Sequence, residues 1–310
     1  MTADAGLHAP GAADRGHPDF MVIGAMRSGT KRLHEILAQH PQVHMSTPKE
    51  TQHYARAHYR GFRGPGDQWV ASQVVEDHET YLRLLAPRPP ALVSGEASAT
   101  YLYLPGVLDR VVADFGAVKF VVILREPAQR AHSSYWYLRS QGRERLARFE
   151  DGLAAEDDRR RAGYGPMWHY VAAGRYAAQL RRCHDLVGAG NVFVSLTDRL
   201  RDDPAGLLGD LCAFLGVAPL AVDGGALSNV SGVPRSQLAN RVLYPPDALR
   251  RALRTAAPAL VTTVRRLRRR NLAEVPPMRT QTARRLRAAF AADVAATAQL
   301  TGLDLARWGY

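Results

Sequence analysis

Residues 19–37, DFMVIGAMRSGTKRLHEIL, decide the fold. Residues 20–23 are a short apolar run typical of a strand; a glycine-containing loop follows, and a helical pattern begins at Lys31. A strand, a glycine loop and a helix in this order present backbone N–H groups and a helix N-terminus to a phosphate-like anion. Arg27, Lys31 and Arg32 would add positive charge at the same place.

The composition is that of an ordinary globular protein. Its 310 residues are 46% hydrophobic and 23% charged, which suits one large α/β domain or two small ones. No apolar run is long enough to span a bilayer, and the N-terminus lacks the apolar core of a signal peptide. We expect residues 1–18 to be a disordered tail. Because no repeat or clean linker divides the remainder, we expect residues 19–310 to form a single domain.

The charge and the cysteines limit the partners and the compartment. The formal net charge is +12, and only three of the 41 basic residues are lysines. A basic surface favours nucleic acid, anionic lipid or an anionic small substrate, so it permits peripheral membrane contact. The chain has no recognisable DNA-reading or RNA-binding unit, and we expect no nucleic-acid partner. Cys183 and Cys212 are far apart, which argues against a disulfide framework and favours a reducing cytoplasm.

Strand and helix patterns alternate along the chain. The β-like segments are residues 42–45, 92–95, 119–124 and 192–196, and the helical ones are 77–85, 107–115, 128–139, 176–186 and 204–215. The alternation predicts an α/β fold with a mostly parallel central sheet flanked by helices, of a P-loop-like type. The apolar runs at 119–124 and 192–196 indicate central strands, whereas residues 56–75 are expected to form a surface excursion.

Parallel sheets bind ligands beyond the carboxyl ends of their strands. This rule places the loop that begins at Gly24 at one edge of the predicted sheet, together with Glu50, Glu96 and Arg125. These three charged side chains are therefore expected to lie beside the anion-binding loop at that edge.

The loop differs from the phosphate-binding loop of nucleoside triphosphatases, G-x-x-x-x-G-K-[ST]. Gly24 and Gly29 have the right spacing, but Thr30 and Lys31 stand in the reverse order. The Ser/Thr after the lysine normally holds Mg²⁺, supported by a strand that ends in Asp, whereas the strand pattern KFVVIL is followed by Arg125. A metal-free anion site fits better. A P-loop kinase or NTPase, and a non-catalytic basic module for nucleic acid or membrane, are the alternatives.

The loop and its surroundings resemble those of sulfotransferases that use 3′-phosphoadenosine 5′-phosphosulfate (PAPS). That family has a strand followed by [KR]-[ST]-G-T, which wraps the 5′-phosphosulfate, and residues 27–30, RSGT, match it. A second motif, a strand followed by Arg and a Ser eight residues later, holds the 3′-phosphate and is matched by Arg125 and Ser133. Residues 48–54, PKETQHY, and 95–103, GEASATYLY, resemble segments of bacterial sulfotransferases and of the heparan sulfate group.

The resemblance covers most of residues 19–217 and implies roles for single residues. The residues that would bind PAPS are Arg27, Ser28, Gly29, Thr30, Lys31, Arg32, Arg125 and Ser133. Arg27, where most members carry lysine, would stabilise charge on the leaving group, because a guanidinium does not readily release its proton. Glu50 matches the general base of the heparan sulfate group, the other interpretation being a loop glutamate paired with a neighbouring arginine. His53 is the second candidate for the base, since imidazole titrates near neutrality.

Other positions in these motifs have less direct counterparts. Glu96 would orient the loop or the acceptor, and Ala97 stands where some relatives have a catalytic lysine. Ala99 replaces the usual proline. Arg279 and Arg284 are either further phosphate contacts or exposed helix charges.

The resemblance thus implies a PAPS-dependent sulfotransferase that acts on a hydroxyl or amine of a small-molecule, glycan or lipid acceptor. Transfer would be in line, with a carboxylate base and no metal. The acceptor pocket is expected to be built from residues 54–75, 135–175 and 225–280. The aromatic residues that would either line this pocket or pack elsewhere are Tyr54, Tyr59, Trp69, Trp136, Tyr137, Trp168 and Tyr170.

Overall fold

Five parallel strands form the centre of the fold in the computed structural model, which describes residues 16–220, 233–234, 267 and 272–310. The strands are β1 (Phe20–Gly24), β2 (Val43–Met45), β3 (Val93–Ala97), β4 (Lys119–Leu124) and β5 (Val192–Leu196). Their order across the sheet is β2–β3–β1–β4–β5, and each neighbouring pair is parallel. The predicted α/β fold with a mostly parallel sheet is therefore confirmed.

Helices connect the strands and cover the sheet. The helices are α1 (Thr30–Leu37), α2 (Arg56–Gly61), α3 (Asp67–Ala71), α4 (His78–Leu85), α5 (Val107–Phe115), α6 (Pro127–Ser140), α7 (Phe149–Ala154), α8 (Glu156–Arg161), α9 (Tyr176–Val187), α10 (Thr197–Asp202), α11 (Pro204–Leu215) and α12 (Thr280–Thr301). Two short strands, β6 (Val233–Pro234) and β7 (Leu272–Ala273), pair antiparallel to each other outside the main sheet.

Successive side chains of the central strands supply two separate cores. Phe20 and Val22 pack with α1 and α11 on one face, whereas Met21 and Ile23 pack with helices that include α5, α6, α9 and α12 on the other. This is the burial expected of parallel strands, whose two faces are both covered by helices. The covered faces leave the strand ends as the accessible part of the sheet.

The register of the sheet brings the predicted site elements to one edge. Phe20 of β1 lies opposite Lys119 of β4 and, after a shift in register, Gly24 lies opposite Val122, so both strands end at the same edge with β4 extending two residues further. The loop after Gly24 and the side chain of Arg125 consequently meet there. β3 runs parallel to β1 on its other side, which brings Glu96 to the same edge.

Two features differ from the sequence-based expectation. β5 was expected to be central but lies at the end of the strand order and pairs with β4 alone among the described strands. Its apolar side chains suit a covered edge as well as a centre, so the pattern does not distinguish the two positions. Residues 56–75 contain α2 and α3 and bury Asp67, whose Oδ2 accepts from the N–H groups of Gly64 (2.8 Å) and Gly165 (2.7 Å). The excursion is thereby attached to the chain near α8.

Two other expectations concern the ends of the chain and the membrane. The predicted tail, residues 1–18, lies outside the described residues except for residues 16–18. Among the helices that the structure describes, none combines the length and the apolar character needed to cross a membrane.

Candidate functional site

The loop between β1 and α1 is the centre of the site. Gly29 precedes the first residue of α1 with a φ of 98°, a left-handed conformation that glycine adopts without a steric penalty. Arg27 also has a positive φ, 67°, which is uncommon for a residue with a Cβ. The N–H of Ala25 donates to Ile123 O at 2.9 Å, so the loop begins as a continuation of the β1–β4 pairing. The loop is therefore held in a strained but defined shape at the strand ends.

Arg27, Arg125 and Ser133 come together over this loop. The Nε of Arg27 donates to the Ser133 hydroxyl at 3.3 Å, and its guanidinium lies 4.4 Å from the centre of the Tyr137 ring. The Nη1 of Arg125 donates to the backbone oxygen of Arg27 at 3.4 Å. Ser133 and Tyr137 are four residues apart on α6, so one face of that helix positions the Arg27 side chain.

Burial shifts the pKa values of Arg27 and Arg125. The pKa of Arg27 is lowered to about 10, mainly by burial; Tyr137 opposes this shift, and the nearby charges of Arg125 and Arg130 add to it. Burial also lowers the pKa of Arg125. Both guanidinium groups stay protonated near neutral pH. Within the part of the chain that the structure describes, no ion pair joins either one to a carboxylate. Two partly buried positive charges therefore face the edge of the sheet, and only that of Arg125 interacts electrostatically with carboxylates of the described residues, those of Glu126 and Asp198.

The remaining predicted phosphate-binding residues divide into two groups. Ser28 and Thr30 are buried in the loop and at the start of α1. Lys31, by contrast, extends into solvent on α1 and pairs with Glu35 at 3.5 Å. Arg32 follows it, half-buried on the same helix. The structure thus gathers residues 27–30 with Arg125 and Ser133, and it directs the Lys31 side chain to a different partner.

Thr197 fastens the loop to the neighbouring strand. Its hydroxyl lies 2.7 Å from Ser28 O and 3.0 Å from Leu124 O, and it donates to both oxygens. Thr197 was not among the predicted site residues. Its position directly after a predicted strand could have identified it as a site residue, because residues that follow parallel strands lie at the ligand-binding edge.

Replacing Thr197 with valine keeps the side-chain shape and removes this donor. We expect the free energy of unfolding to fall by about 1–2 kcal/mol, because two backbone oxygens near the loop lose their partner. Urea denaturation measures the change. Thr297→Val, which removes a buried hydroxyl that donates to Asp293 O within its own helix at 2.7 Å, is the matched control. A Thr197→Val protein as stable as the wild type would contradict this role.

Glu50 lies on the loop after β2, opposite the segment that follows β3. Its N–H donates to Ala97 O at 2.9 Å. One carboxylate oxygen, Oε2, accepts from Ala99 N at 3.0 Å and from Gln52 Nε2 at 2.7 Å, while Lys49 pairs with Oε1. The side chain stays 36% exposed, so it can exchange protons with a molecule at the edge of the sheet. The Glu50 carboxylate is therefore both oriented and accessible.

Glu96 supports this arrangement from below. It is fully buried and accepts from the hydroxyls of Thr51 (2.5 Å), Ser98 and Tyr81 (3.4 Å). Burial raises the pKa of Glu96 to about 7 against these hydrogen bonds. Because Thr51 and Ser98 flank the two segments that hold Glu50, Glu96 orients the loop rather than facing an acceptor.

His53 occupies a different environment from Glu50. Its ring is fully buried and stacks on Tyr81, with 4.4 Å between ring centres. Nδ1 lies 2.7 Å from Val75 O, and Nε2 lies 3.1 Å from His78 Nδ1. Burial lowers the pKa of His53. The geometry therefore argues against His53 as the base, because both ring nitrogens are engaged below the surface.

Two cavities flank the loop and its arginines. A cavity of about 330 Å³ is bounded by the start of α6 and by the chain before and within α12; its lining includes Arg125, Gln129, His132, Met278 and Arg287. A groove of about 720 Å³ lies on the other side, and its lining is His58, Phe62, Tyr103, Leu104, Pro105, Asp157, Arg160, Arg161 and His169. Tyr103 also packs against a small apolar cluster of Met26, Ala99 and Ala173, so one lining residue of the groove contacts the cluster to which the loop and the segment after β3 contribute.

The predicted acceptor residues are only partly those of the groove. Residues 54–75 and 135–175 do contribute to it, and residues 225–280 are mostly outside the described residues. None of the proposed aromatic side chains lines it: Tyr54, Tyr59, Trp168 and Tyr170 are buried, and Tyr137 contacts Arg27. Arg279 and Arg284 are exposed.

Comparison with known proteins gives a consistent result. A model of the sulfotransferase family matches residues 18–220. The bifunctional heparan sulfate N-deacetylase/N-sulfotransferase of Drosophila melanogaster is 29% identical over 216 residues, which are 66% of this chain and 20% of that protein. Human heparan sulfate glucosamine 3-O-sulfotransferase 6 is 26% identical over 220 residues, 69% of this chain and 57% of that protein. This chain therefore spans only part of the length of these relatives.

A solved structure matches over nearly the whole chain. The crystal structure of a sulfotransferase from Alicyclobacillus acidocaldarius has a TM-score of 0.76 to this chain at 29% identity, and the match covers 95% of this chain and 99% of that one. The family match includes β1 to β5, the loop and the arginines that gather over it. This chain belongs to the sulfotransferase family.

Proposed function

We propose that the chain transfers a sulfuryl group from PAPS to a hydroxyl or amine of a small-molecule, glycan or lipid acceptor. The observation that carries the proposal is the meeting of Arg27, Arg125 and Ser133 over a backbone loop at the carboxyl ends of β1 and β4. Membership of the sulfotransferase family supports sulfuryl transfer over the P-loop kinase and over the non-catalytic basic module.

The residues at the loop suit a nucleotide with two separate anionic groups. Backbone N–H groups of the loop and the Arg27 side chain would receive the 5′-phosphosulfate, while Arg125 and Ser133 would receive the 3′-phosphate. The adjacent 330 Å³ cavity carries a further cation, Arg287, in its lining. A partly buried guanidinium without a nearby carboxylate is costly unless an anion compensates it, and Arg27 is in that state. Arg125 interacts electrostatically with Glu126 and Asp198 but forms no ion pair with them among the described residues.

In this proposal the chain positions the reactants, stabilises the charge that develops during transfer and removes a proton from the acceptor. Bound PAPS would supply the activated sulfuryl group. As the acceptor oxygen or nitrogen forms its bond to sulfur, the bond from sulfur to the bridging oxygen breaks and negative charge develops on that oxygen. Arg27 would stabilise this charge, because fixed donors in a low-dielectric site stabilise developing charge effectively. Glu50 would accept the proton that the acceptor loses.

The 720 Å³ groove is the proposed acceptor site. Its volume is within the range of small-molecule pockets, and it combines apolar side chains such as Phe62 and Leu104 with Arg160 and Arg161. Tyr103 links it to Met26 beside Arg27 and to Ala99, whose N–H donates to Glu50. The names of the human and Drosophila relatives refer to heparan sulfate, which supports keeping glycans among the candidate acceptors.

A cytoplasmic location is part of the proposal. Cys183 and Cys212 are both buried free thiols, a state typical of proteins that remain in a reducing compartment. The proposed reaction uses PAPS as the donor and requires no metal.

The proposal is tested by nucleotide binding and by the Arg125→Ala variant. Wild-type protein should bind 3′-phosphoadenosine 5′-phosphate (PAP) in calorimetry and transfer labelled sulfate from PAPS to members of an acceptor panel. In Arg125→Ala we expect the Kd for PAP to rise about 100-fold through loss of charge-assisted hydrogen bonds. Adenosine 5′-phosphate, which lacks the 3′-phosphate, should be affected much less.

Arg83→Ala is the matched control, because Arg83 is an exposed cation on α4. It should leave PAP binding unchanged. Failure of the wild type to bind PAP would refute the proposed donor, and equal losses for PAP and adenosine 5′-phosphate in Arg125→Ala would refute the 3′-phosphate role.

A further inference from the structure

A third arginine, Arg130, is completely buried on α6. Its Nη2 donates to the backbone oxygens of His169 (3.2 Å) and Tyr170. Its Nε and Nη1 have no hydrogen-bond partner among the described residues. A buried guanidinium that uses only one of its three nitrogens is unusual, because each unsatisfied donor in the interior carries a desolvation cost.

Among the residues that the structure describes, no carboxylate forms an ion pair with Arg130. Glu156 acts on Arg130 electrostatically, but its two oxygens already accept from Val171 N (2.6 Å) and Ala172 N (2.9 Å). Burial is the main cause that lowers the pKa of Arg130. The hydrogen bonds that Arg130 does make are to neutral backbone oxygens, so no hydrogen bond to a carboxylate offsets its positive charge.

The position of Arg130 connects this charge to the anion-binding loop. Arg130, Ser133 and Tyr137 follow one another at intervals of three and four residues on α6, so they share a face of the helix. Ser133 and Tyr137 both contact Arg27. After burial itself, the positive charge of Arg130 is among the causes that lower the pKa values of Arg27 and Arg125. The three arginines therefore repel one another in the ligand-free protein.

We propose that Arg130 is a positioning residue whose buried charge strengthens the binding of multiply charged nucleotides at the loop without contacting them. The inference rests on the proposed function, since it takes PAP and PAPS as the ligands. An anion over the loop would compensate three mutually repelling charges at once, in an interior where charge interactions are only weakly screened. The gain grows with the number of negative charges on the ligand, so Arg130 favours nucleotides with two phosphate groups over those with one.

The test compares PAP with adenosine 5′-phosphate in calorimetric titrations of Arg130→Gln and Arg130→Lys. PAP carries about four negative charges and adenosine 5′-phosphate about two. In Arg130→Gln, which removes the charge and keeps an amide donor for the backbone oxygens, we expect the Kd for PAP to rise about tenfold and that for adenosine 5′-phosphate about threefold. Arg130→Lys keeps the charge and should restore the wild-type ratio of the two Kd values.

Arg139→Gln is the matched control. Arg139 is on the same helix and also donates to two backbone oxygens, those of Glu144 (3.3 Å) and Arg145 (3.4 Å). Its loss should lower the melting temperature without changing the ratio of the two Kd values. A purely structural role for Arg130 would behave in the same way.

The outcomes separate this inference from the proposed function. Absence of PAP binding in the wild type refutes the proposed function. PAP binding in the wild type with an unchanged Kd ratio in Arg130→Gln refutes the role of Arg130 alone. If Arg130→Gln does not fold, Arg130→Met supplies the neutral variant, and failure of both neutral variants to fold also counts against the proposal because it makes the residue structural.

Discussion

Replacing Glu50 with glutamine is expected to slow sulfuryl transfer about 10³-fold, the size of effect typical of a lost general base. The amide oxygen of glutamine can still accept from Ala99 N, which lies 3.0 Å from Oε2 in the wild type, so the loop should keep its conformation. The amide cannot take a proton from the acceptor. Initial rates with labelled PAPS measure the loss, and calorimetry with PAP should give an unchanged Kd because Glu50 is not part of the proposed nucleotide site.

Glu35→Gln is the control for this substitution, since Glu35 is an exposed carboxylate that pairs only with Lys31 among the described ion pairs. It should have the wild-type rate. An active Glu50→Gln protein, with a rate within about threefold of the wild type, would remove Glu50 from the mechanism. A specific loss of rate in His53→Gln with unchanged stability would transfer the role to His53, against the burial of its ring.

Replacing Arg27 with alanine is expected to reduce the rate of transfer about 10²- to 10³-fold, as for the loss of a donor aimed at a developing oxyanion. The side chain is held between the Ser133 hydroxyl and the Tyr137 ring, so its charge is fixed before the reaction begins. Single-turnover rates at saturating PAPS isolate the chemical step from nucleotide binding. Arg27→Lys should recover part of the rate, because the ammonium keeps the charge but not the geometry of the guanidinium.

Arg199→Ala is a suitable comparison for Arg27→Ala. Arg199 is a partly exposed arginine that pairs with Asp210 at 2.7 Å, and its loss should leave the rate unchanged. If Arg27→Ala kept its single-turnover rate and lost only affinity for PAP, Arg27 would be a binding residue and the stabilisation of the leaving group would have to come from elsewhere.

The fold was predictable because its signals are local. The apolar run at 119–124 forms β4 with those bounds, and the pattern at 204–215 forms α11, which ends at Gly216 in the left-handed conformation. Each pattern spans a single element, so no long-range contact is needed to recognise it. The order of the strands could not be predicted in this way. β5 lies at the edge of the sheet, a position that its own apolar pattern does not distinguish from a central one.

The site was predictable to the extent that it follows strand ends and motif spacing. Arg27, Arg125 and Ser133 were named from these signals, and the structure brings them together. Two other residues that the structure connects to the site were not predicted. Thr197 has no motif, and Arg130 looks like any other arginine of a charged helix until its burial is known.

The sequence by itself determined the α/β class and the glycine loop after β1, because periodicity along the chain carries that information, and its resemblance to the sulfotransferase family pointed to Arg125 and Ser133. Only the tertiary structure decided which charged groups lose contact with water. His53 is buried against Val75 and Tyr81, Lys31 extends into solvent, and Arg130 is buried on α6. The physical reason is that burial, and with it the energy of a charge, depends on segments far apart in the chain that meet only when it folds.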